Sequence, residues 1–169
     1  MNQRSELLAS RLEKGAEELA QLVRGLSEQQ WQTPLSATDP RTVGVIVHHV
    51  ASMYPLEIAA AQAVANGNAV TDVTWEAVAN INATHAEAYS ATDKRATLDL
   101  LRKNSQAAAA AIRTLTDRQL DTAAPFSLSD GAPMTVQFVI EDHALRHSWH
   151  HAAGIRKALK LTEAKPAAA

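Results

Sequence analysis

A histidine-rich segment near the C-terminal end of the chain gives the strongest indication of both its fold and its candidate chemistry. It holds four of the seven histidines and reads Glu141-Asp142-His143-Ala144-Leu145-Arg146-His147-Ser148-Trp149-His150-His151-Ala152-Ala153-Gly154-Ile155. The segment has no proline and is rich in helix formers, which predicts an α-helix. Residues four apart lie on one face of a helix, so His147 and His151 form a pair, and His143 precedes them at the same spacing. His150 is rotated by roughly 100° from His151 and points elsewhere.

Two imidazoles at positions i and i+4 can bind one divalent metal ion, because their ring nitrogens converge across a helical turn. The same spacing often occurs by chance, and a surface or hydrogen-bonded core histidine is the commoner explanation of such a pair. A third ligand has to come from elsewhere in the chain. Because cysteine is absent, any metal site would depend on His, Asp and Glu.

Length and composition predict one helical domain. Of the 169 residues, 46% are hydrophobic but only 4% are aromatic, so the core has to be built from Leu, Ile, Val and Ala, which suits packed helices. We expect residues 1–161 to form a single domain and residues 162–169 to be a disordered tail.

Charge and hydropathy argue against two classes of partner. The net charge of −2 and the pI of about 6.4 favour neither nucleic acid nor membrane as a partner. No continuous apolar run approaches the ~18 residues that span a bilayer. The N-terminus lacks the pattern of a signal peptide, so we expect a cytoplasmic protein.

Helical periodicity predicts four long helices, the third of them broken. The first covers residues 5–25 with Ser5 as its N-cap, and the second covers residues 41–66 after the cap signal Asp39-Pro40, with a kink or break at Pro55. Residues 74–90 and 92–115 form the two parts of the third helix, and residues 135–161 form the last. Residues 121–134 form a long loop with a short hairpin around Asp130-Gly131. The fold class is therefore all-α, a four-helix bundle with a long loop before the last helix.

The third metal ligand is expected from the second helix, which is long enough to lie beside the last one. It carries His48 and His49, and adjacent helical residues point roughly 100° apart, so only one can face a shared site. Three imidazoles would leave positions open for water or substrate, as in catalytic sites. Imidazole ligands suit Zn²⁺ and Ni²⁺.

These segments resemble the DinB/YfiT-like superfamily of small metal-binding four-helix bundles. The resemblance is carried by Thr42-Val43-Gly44-Val45-Ile46-Val47-His48-His49-Val50 and by His147-Ser148-Trp149-His150-His151-Ala152-Ala153-Gly154-Ile155. In that family an aliphatic residue follows the second-helix histidine, as Val50 follows His49, and the first and last histidines of the C-terminal pattern bind the metal. The resemblance therefore implies a metal site of His49, His147 and His151. The chain departs from many members at Ala152-Ala153-Gly154, where they carry Arg-Gly-Gln.

The resemblance implies a function as well as a fold. Characterised members are transferases that use low-molecular-weight thiols such as bacillithiol or mycothiol, or a mycothiol-dependent maleylpyruvate isomerase. It thus implies a metal-dependent enzyme of the thiol S-transferase or isomerase type, with a small-molecule substrate, a thiol cosubstrate and a homodimeric assembly. The alternative is a non-catalytic metal-binding or stress-related helical protein that acts by interaction.

Five further residues have a simpler interpretation than a role in the metal site. His143 could contact a ligand or replace one in a His143/His147 pair, but a pocket or core histidine is the simpler reading. His85 could transfer protons, yet a hydrogen-bonded core histidine is the commoner case. Glu57 lies eight residues after His49, near the same helix face, and a surface carboxylate is the default interpretation. His150, like His48, is expected to be a solvated or packed neighbour of a ligand.

Overall fold

Helices account for most of the part of the chain that the structure describes. The computed structural model describes residues 2–161, and the tail predicted at residues 162–169 lies outside these described residues. The helices are α1 (Gln3–Arg24), α2 (Glu28–Trp31), α3 (Val43–Ala65), α4 (Trp75–Ala88), α5 (Lys94–Arg113), α6 (Asp117–Asp121), α7 (Val136–Val139) and α8 (Arg146–Ala158), with a π-helical segment at Ile140–Leu145 joining the last two.

Side-chain caps set the helix starts, and two of them correct the predicted ones. The side chain of Asn2, not Ser5, accepts a hydrogen bond from the first turn of α1, and Ser5 is buried within the helix. Thr42, not Asp39, caps α3. The Asp39 carboxylate instead accepts hydrogen bonds from the Arg41 backbone N–H at 3.2 Å and from the Arg41 side chain at 2.8 and 2.7 Å, before the helix begins.

Four long helical units form the bundle: α1, α3, α5 and the run from α7 to α8. α1 packs against α5 and α8, and α3 packs against the same two helices. α1 and α3 therefore lie diagonally opposite each other, which differs from a simple up-down-up-down order. The core between them is mostly aliphatic, with Leu12, Leu19 and Ile46 fully buried beside Trp31 and Tyr54. α4, predicted as part of a broken third helix, is a separate helix that contacts α3.

α3 is the most apolar helix and continues through Pro55 without a break. Proline has no N–H, so the Ala51 carbonyl four residues earlier lacks its helical partner. The side chain of Asn104 on α5 donates to that carbonyl at 2.8 Å and replaces the missing bond. By length and composition α3 could also cross a membrane, but 56% of its apolar window is buried inside the protein, as in a core helix.

The predicted long loop before the last helix is present and contains the predicted hairpin. Strand β1 (Ala123–Pro125) pairs antiparallel with β2 (Pro133–Thr135). Asp130 and Gly131 form the turn with φ of 55° and 76°, a region that suits Asp and Gly. β2 leads directly into α7, so the hairpin sets where the last helix begins.

Candidate metal centre

Three histidines from α3 and α8 meet at one point in the bundle. Nε2 of His49 lies 3.2 Å from Nε2 of His147. The ring centroids of His147 and His151 are 4.9 Å apart, and those of His49 and His151 are 5.6 Å apart. One ring nitrogen of each residue lies within 4.8 Å of the others, so the three residues could hold a metal ion.

The geometry of these donors fits a small divalent ion. Zinc–nitrogen bonds are ~2.0–2.1 Å, so two nitrogens on a tetrahedral ion are about 3.3 Å apart. The two facing Nε2 atoms are separated by 3.2 Å, which leaves room for an ion between them after a small adjustment. All three donors are imidazole nitrogens, a ligand type that zinc and nickel accept.

Burial keeps the imidazoles of His49 and His151 in the form that can bind a metal. Desolvation, followed by the charge of His147, lowers the pKa of His49 to about 3. The same two causes lower the pKa of His151 to about 2. A neutral imidazole has a free lone pair, so both residues are ready to coordinate at neutral pH without first losing a proton.

The Glu57 side chain lies next to the proposed ligand His147 and is largely buried, whereas the sequence predicted a surface carboxylate. Its carboxylate Oε1 lies 2.6 Å from Nδ1 of His147, and each of these side chains is only 14% exposed. Nδ1 of His147 makes no aligned hydrogen bond here, so the carboxylate acts through its negative charge, which favours a proton on Nδ1 and leaves the lone pair of Nε2 directed to the site. The signal in the sequence was the spacing of eight residues from His49, about two helical turns, which places Glu57 on the same face of α3.

A buried hydrogen bond fixes α3 against α8 beside these ligands. The Tyr54 hydroxyl and the Ser148 hydroxyl are 2.6 Å apart, and either can be the donor. Ser148 follows His147 directly, and Tyr54 lies one to two turns after His49, so this contact sets the position of one ligand helix relative to the other. Burial raises the pKa of Tyr54, which keeps the hydroxyl protonated and able to donate.

His48 and His85 form a second histidine contact next to the first. Nδ1 of His48 lies 2.9 Å from Nε2 of His85, and the ring of Tyr89 stacks on His48 with 4.0 Å between centroids. His85 is 8% exposed, and the centroid of its ring lies 5.5 Å from the centroid of the His49 ring. His48 is therefore a packed neighbour, as expected, and His85 is a hydrogen-bonded histidine directly beside the centre.

The remaining two histidines lie outside the three-histidine group. His150 is exposed. His143 lies in the π-helical segment, and its ring packs on Phe126 with 5.3 Å between centroids. A π-helix bonds i to i+5, so its winding differs from that of the α-helix that follows. The regular stripe of His143, His147 and His151 is consequently interrupted, and the alternative His143/His147 pair is not the one that meets α3.

Comparison with known proteins supports this description of the fold. The family model described as the DinB superfamily matches residues 11–155. A solved structure described as "YfiT from Bacillus subtilis is a probable metal-dependent hydrolase with an unusual four-helix bundle topology" is similar, with a TM-score of 0.74 and 22% sequence identity over 95% of this chain and 89% of that chain. At this identity the similarity shows a shared fold. No curated protein is significantly similar to the chain in sequence.

Proposed function

The chain belongs to the DinB superfamily, and from this premise we propose that it is a metal-dependent enzyme whose ion is bound by His49, His147 and His151. The observation that carries the proposal is the meeting of three imidazole donors from two helices within 4.8 Å. Three protein ligands leave coordination positions open, which is the arrangement of catalytic sites rather than closed structural ones. Zinc or nickel is the proposed ion, on the grounds of imidazole chemistry.

The proposed reaction is thiol-dependent S-transfer or a related isomerisation, with a low-molecular-weight thiol as cosubstrate. A bound divalent ion would lower the pKa of a coordinated thiol or water, and so supply a nucleophile at neutral pH. The chain's own residues hold that centre: Glu57 orients His147, and the Tyr54–Ser148 hydrogen bond keeps α3 and α8 in position. What supports the thiol chemistry is the family resemblance of the two histidine segments.

Hydrolysis is the second candidate reaction. The observation in its favour is the structural similarity to YfiT, which is described as a probable metal-dependent hydrolase. The same three-histidine centre would then act on water in place of a thiol.

Five single alanine variants test the ligand set. We expect most of the bound metal to be lost in His49→Ala, His147→Ala and His151→Ala. The loss of metal affinity should exceed the ~10–100-fold that is typical when a residue contacting a ligand is changed. His48→Ala and His150→Ala should retain it, because His48 faces His85 on α4 and His150 is exposed. Metal analysis of the purified variants is the measurement. Loss in His48→Ala with retention in His49→Ala would contradict the assignment.

Turnover assays separate the candidate functions. Metal-loaded and metal-free protein are incubated with an electrophile and bacillithiol, mycothiol or 2-mercaptoethanol, and in parallel with an activated ester. Metal-dependent consumption of the thiol supports the transferase, and ester cleavage alone supports the hydrolase. A protein that binds metal but shows neither activity, and whose Co²⁺ spectrum does not change on addition of thiol, would be the non-catalytic interaction protein instead.

A further inference from the structure

The outer helix α4 covers one side of the histidine centre. The ring of His85 lies against both adjacent histidines of α3, with its Nε2 2.9 Å from Nδ1 of His48 and its centroid 5.5 Å from that of His49. The ring of Tyr89, at the end of α4, stacks on His48. His49 is only 6% exposed in this arrangement. α4 therefore shields a proposed metal ligand from solvent.

This helix is attached to the bundle more weakly than the long helices are. All fourteen residues of α4 are described, and His85 is the one buried side chain among them. By contrast, α5 buries six of its twenty residues, most of them apolar. On α4 the large apolar side chains of Trp75 and Ile81 are 63% and 42% exposed. A segment with so few buried apolar side chains opens at a lower free-energy cost than the core unfolds.

Both ends of α4 are anchored by residues that lie outside the helix. The Ser127 hydroxyl donates to the Val73 carbonyl at 2.6 Å, two residues before α4 begins. Nε1 of the buried Trp31 donates to the Thr92 carbonyl at 3.0 Å, four residues after α4 ends. These hydrogen bonds can persist while α4 moves away from α3, because the short segments between each anchor and the helix can absorb the change of backbone angles.

One flank of α4 is also separated from the segment that precedes α3. A cleft of about 300 Å³ lies between them, and it is lined by Asp39, Pro40, Arg41, Asn82, Ala83 and Ala86. The C-terminal half of α4 is therefore held mainly by the contacts that His85 and Tyr89 make with α3.

We propose that α4 is a lid over the three-histidine group, and that the contacts of His85 and Tyr89 with His48 are the latch that holds it closed. Opening of α4 uncovers His49 and gives an ion or a substrate a route to the centre. The need for this route in turnover rests on the proposed function. The opening itself is a property of the chain and can be measured without a metal ion.

The test measures how fast His49 reacts with diethylpyrocarbonate, which labels accessible neutral imidazoles, with mass spectrometry as the readout at each site. In the metal-free, full-length protein His49 should react more slowly than the exposed His150. Tyr89→Leu weakens the latch but leaves the His85 ring in place, so labelling of His49 should become about two- to tenfold faster, as for the loss of an aromatic pair. The matched control Trp75→Leu removes an exposed ring of α4 and should leave the rate unchanged.

A cross-link can hold the lid closed, because the chain has no cysteine of its own. Pro40→Cys and Ala83→Cys place one thiol on each side of the cleft, at two exposed positions. A short bismaleimide that joins these thiols should slow the labelling of His49 and cancel the increase caused by Tyr89→Leu. The same protein with each thiol capped separately by N-ethylmaleimide is the control.

Three results would overturn the lid. The first is an equal labelling rate of His49 in wild type, Tyr89→Leu and cross-linked protein. The second is a Tyr89→Leu effect that persists after cross-linking. The third is an equal rise in amide hydrogen exchange of α4 and α5 in Tyr89→Leu, since this would indicate global unfolding.

The metal-loaded protein provides a second readout. Loss of bound Co²⁺ to a chelator should follow the same order of rates, fastest in Tyr89→Leu and slowest in the cross-linked protein. A wild type that binds no metal would refute the proposed function, and the labelling rates would then decide the lid by themselves. Bound metal with unchanged labelling rates would refute the lid alone.

Discussion

At the scale of single residues, Glu57 is the side chain outside the three ligands that should most affect metal binding. Glu57→Gln keeps the size of the side chain but removes the charge that lies 2.6 Å from Nδ1 of His147. Since residues behind a ligand tune metal affinity by ~10–100-fold, we expect a loss in that range with the fold unchanged. The measurement is the dissociation constant for Zn²⁺ from competition with a chelator.

A matched control for that variant is Glu141→Gln. Glu141 lies in the π-helical segment and is also paired, with the Arg11 side chain on α1 at 2.9 Å, where the side chains of Arg11 and Glu141 are 56% and 35% exposed. Its substitution should leave zinc affinity unchanged. Equal affinities in wild type and Glu57→Gln would show that Glu57 does not orient the ligand.

At the scale of elements, the continuity of α3 through Pro55 depends on a neighbouring helix. Asn104→Ala should destabilise the protein by ~1–3 kcal/mol, because the Ala51 carbonyl loses its donor in the interior. In a Pro55→Ala background the restored N–H can bond to Ala51, so the same Asn104→Ala change should cost much less. Urea unfolding of the four proteins in this double-mutant cycle measures the coupling. If Asn104→Ala costs the same in both backgrounds, the side chain does not compensate for the proline.

At the scale of the whole molecule, the buried histidines make the metal-free protein sensitive to acid. The folded-state pKa values of His49, His151 and His85 are lowered to about 3, 2 and 4, mainly by desolvation. In the unfolded chain these groups take up protons near pH ~6.5, so between that pH and about 4 the unfolded state binds more protons. Stability should therefore be complete above pH ~6.5 and fall as the pH drops below it.

Chemical unfolding of the metal-free protein between pH 7 and 5 measures this dependence, in a range above the titration of ordinary carboxylates. His85→Ala should reduce the slope, and the exposed His150→Ala should not change it. A stability that does not vary with pH across this range would argue that the histidines are solvated in the free protein.

Assembly is the second prediction at this scale. The family resemblance implies a homodimer, and we expect light scattering at micromolar concentration to give about twice the mass of the 18.2 kDa chain. A mass equal to one chain would contradict it.

The helices and the hairpin could be predicted from the sequence, since helix periodicity, caps and breakers act over a few residues. The sequence predicted the long helices, the hairpin at Asp130-Gly131 and the pair formed by His147 and His151. The errors of the prediction were also local. Asp39 is a residue type that commonly caps helices, but here its carboxylate accepts hydrogen bonds from Arg41. Ile81 shares a helix face with the buried His85 at a spacing of four residues, yet it is 42% exposed, because α4 lies outside the bundle.

The surroundings of the three histidines could not be predicted from the sequence and depend on how the helices pack. In the folded protein His48 lies against His85, and the ring of His143 packs on Phe126. Glu57, expected at the surface, lies next to Nδ1 of His147. Packing also brings Arg41 and Asn82, far apart in sequence, to one cleft. The physical reason is that helical spacing sets the direction of a side chain only relative to its own axis. Distances between side chains on different helices depend on how the whole core packs, and no single segment encodes that packing.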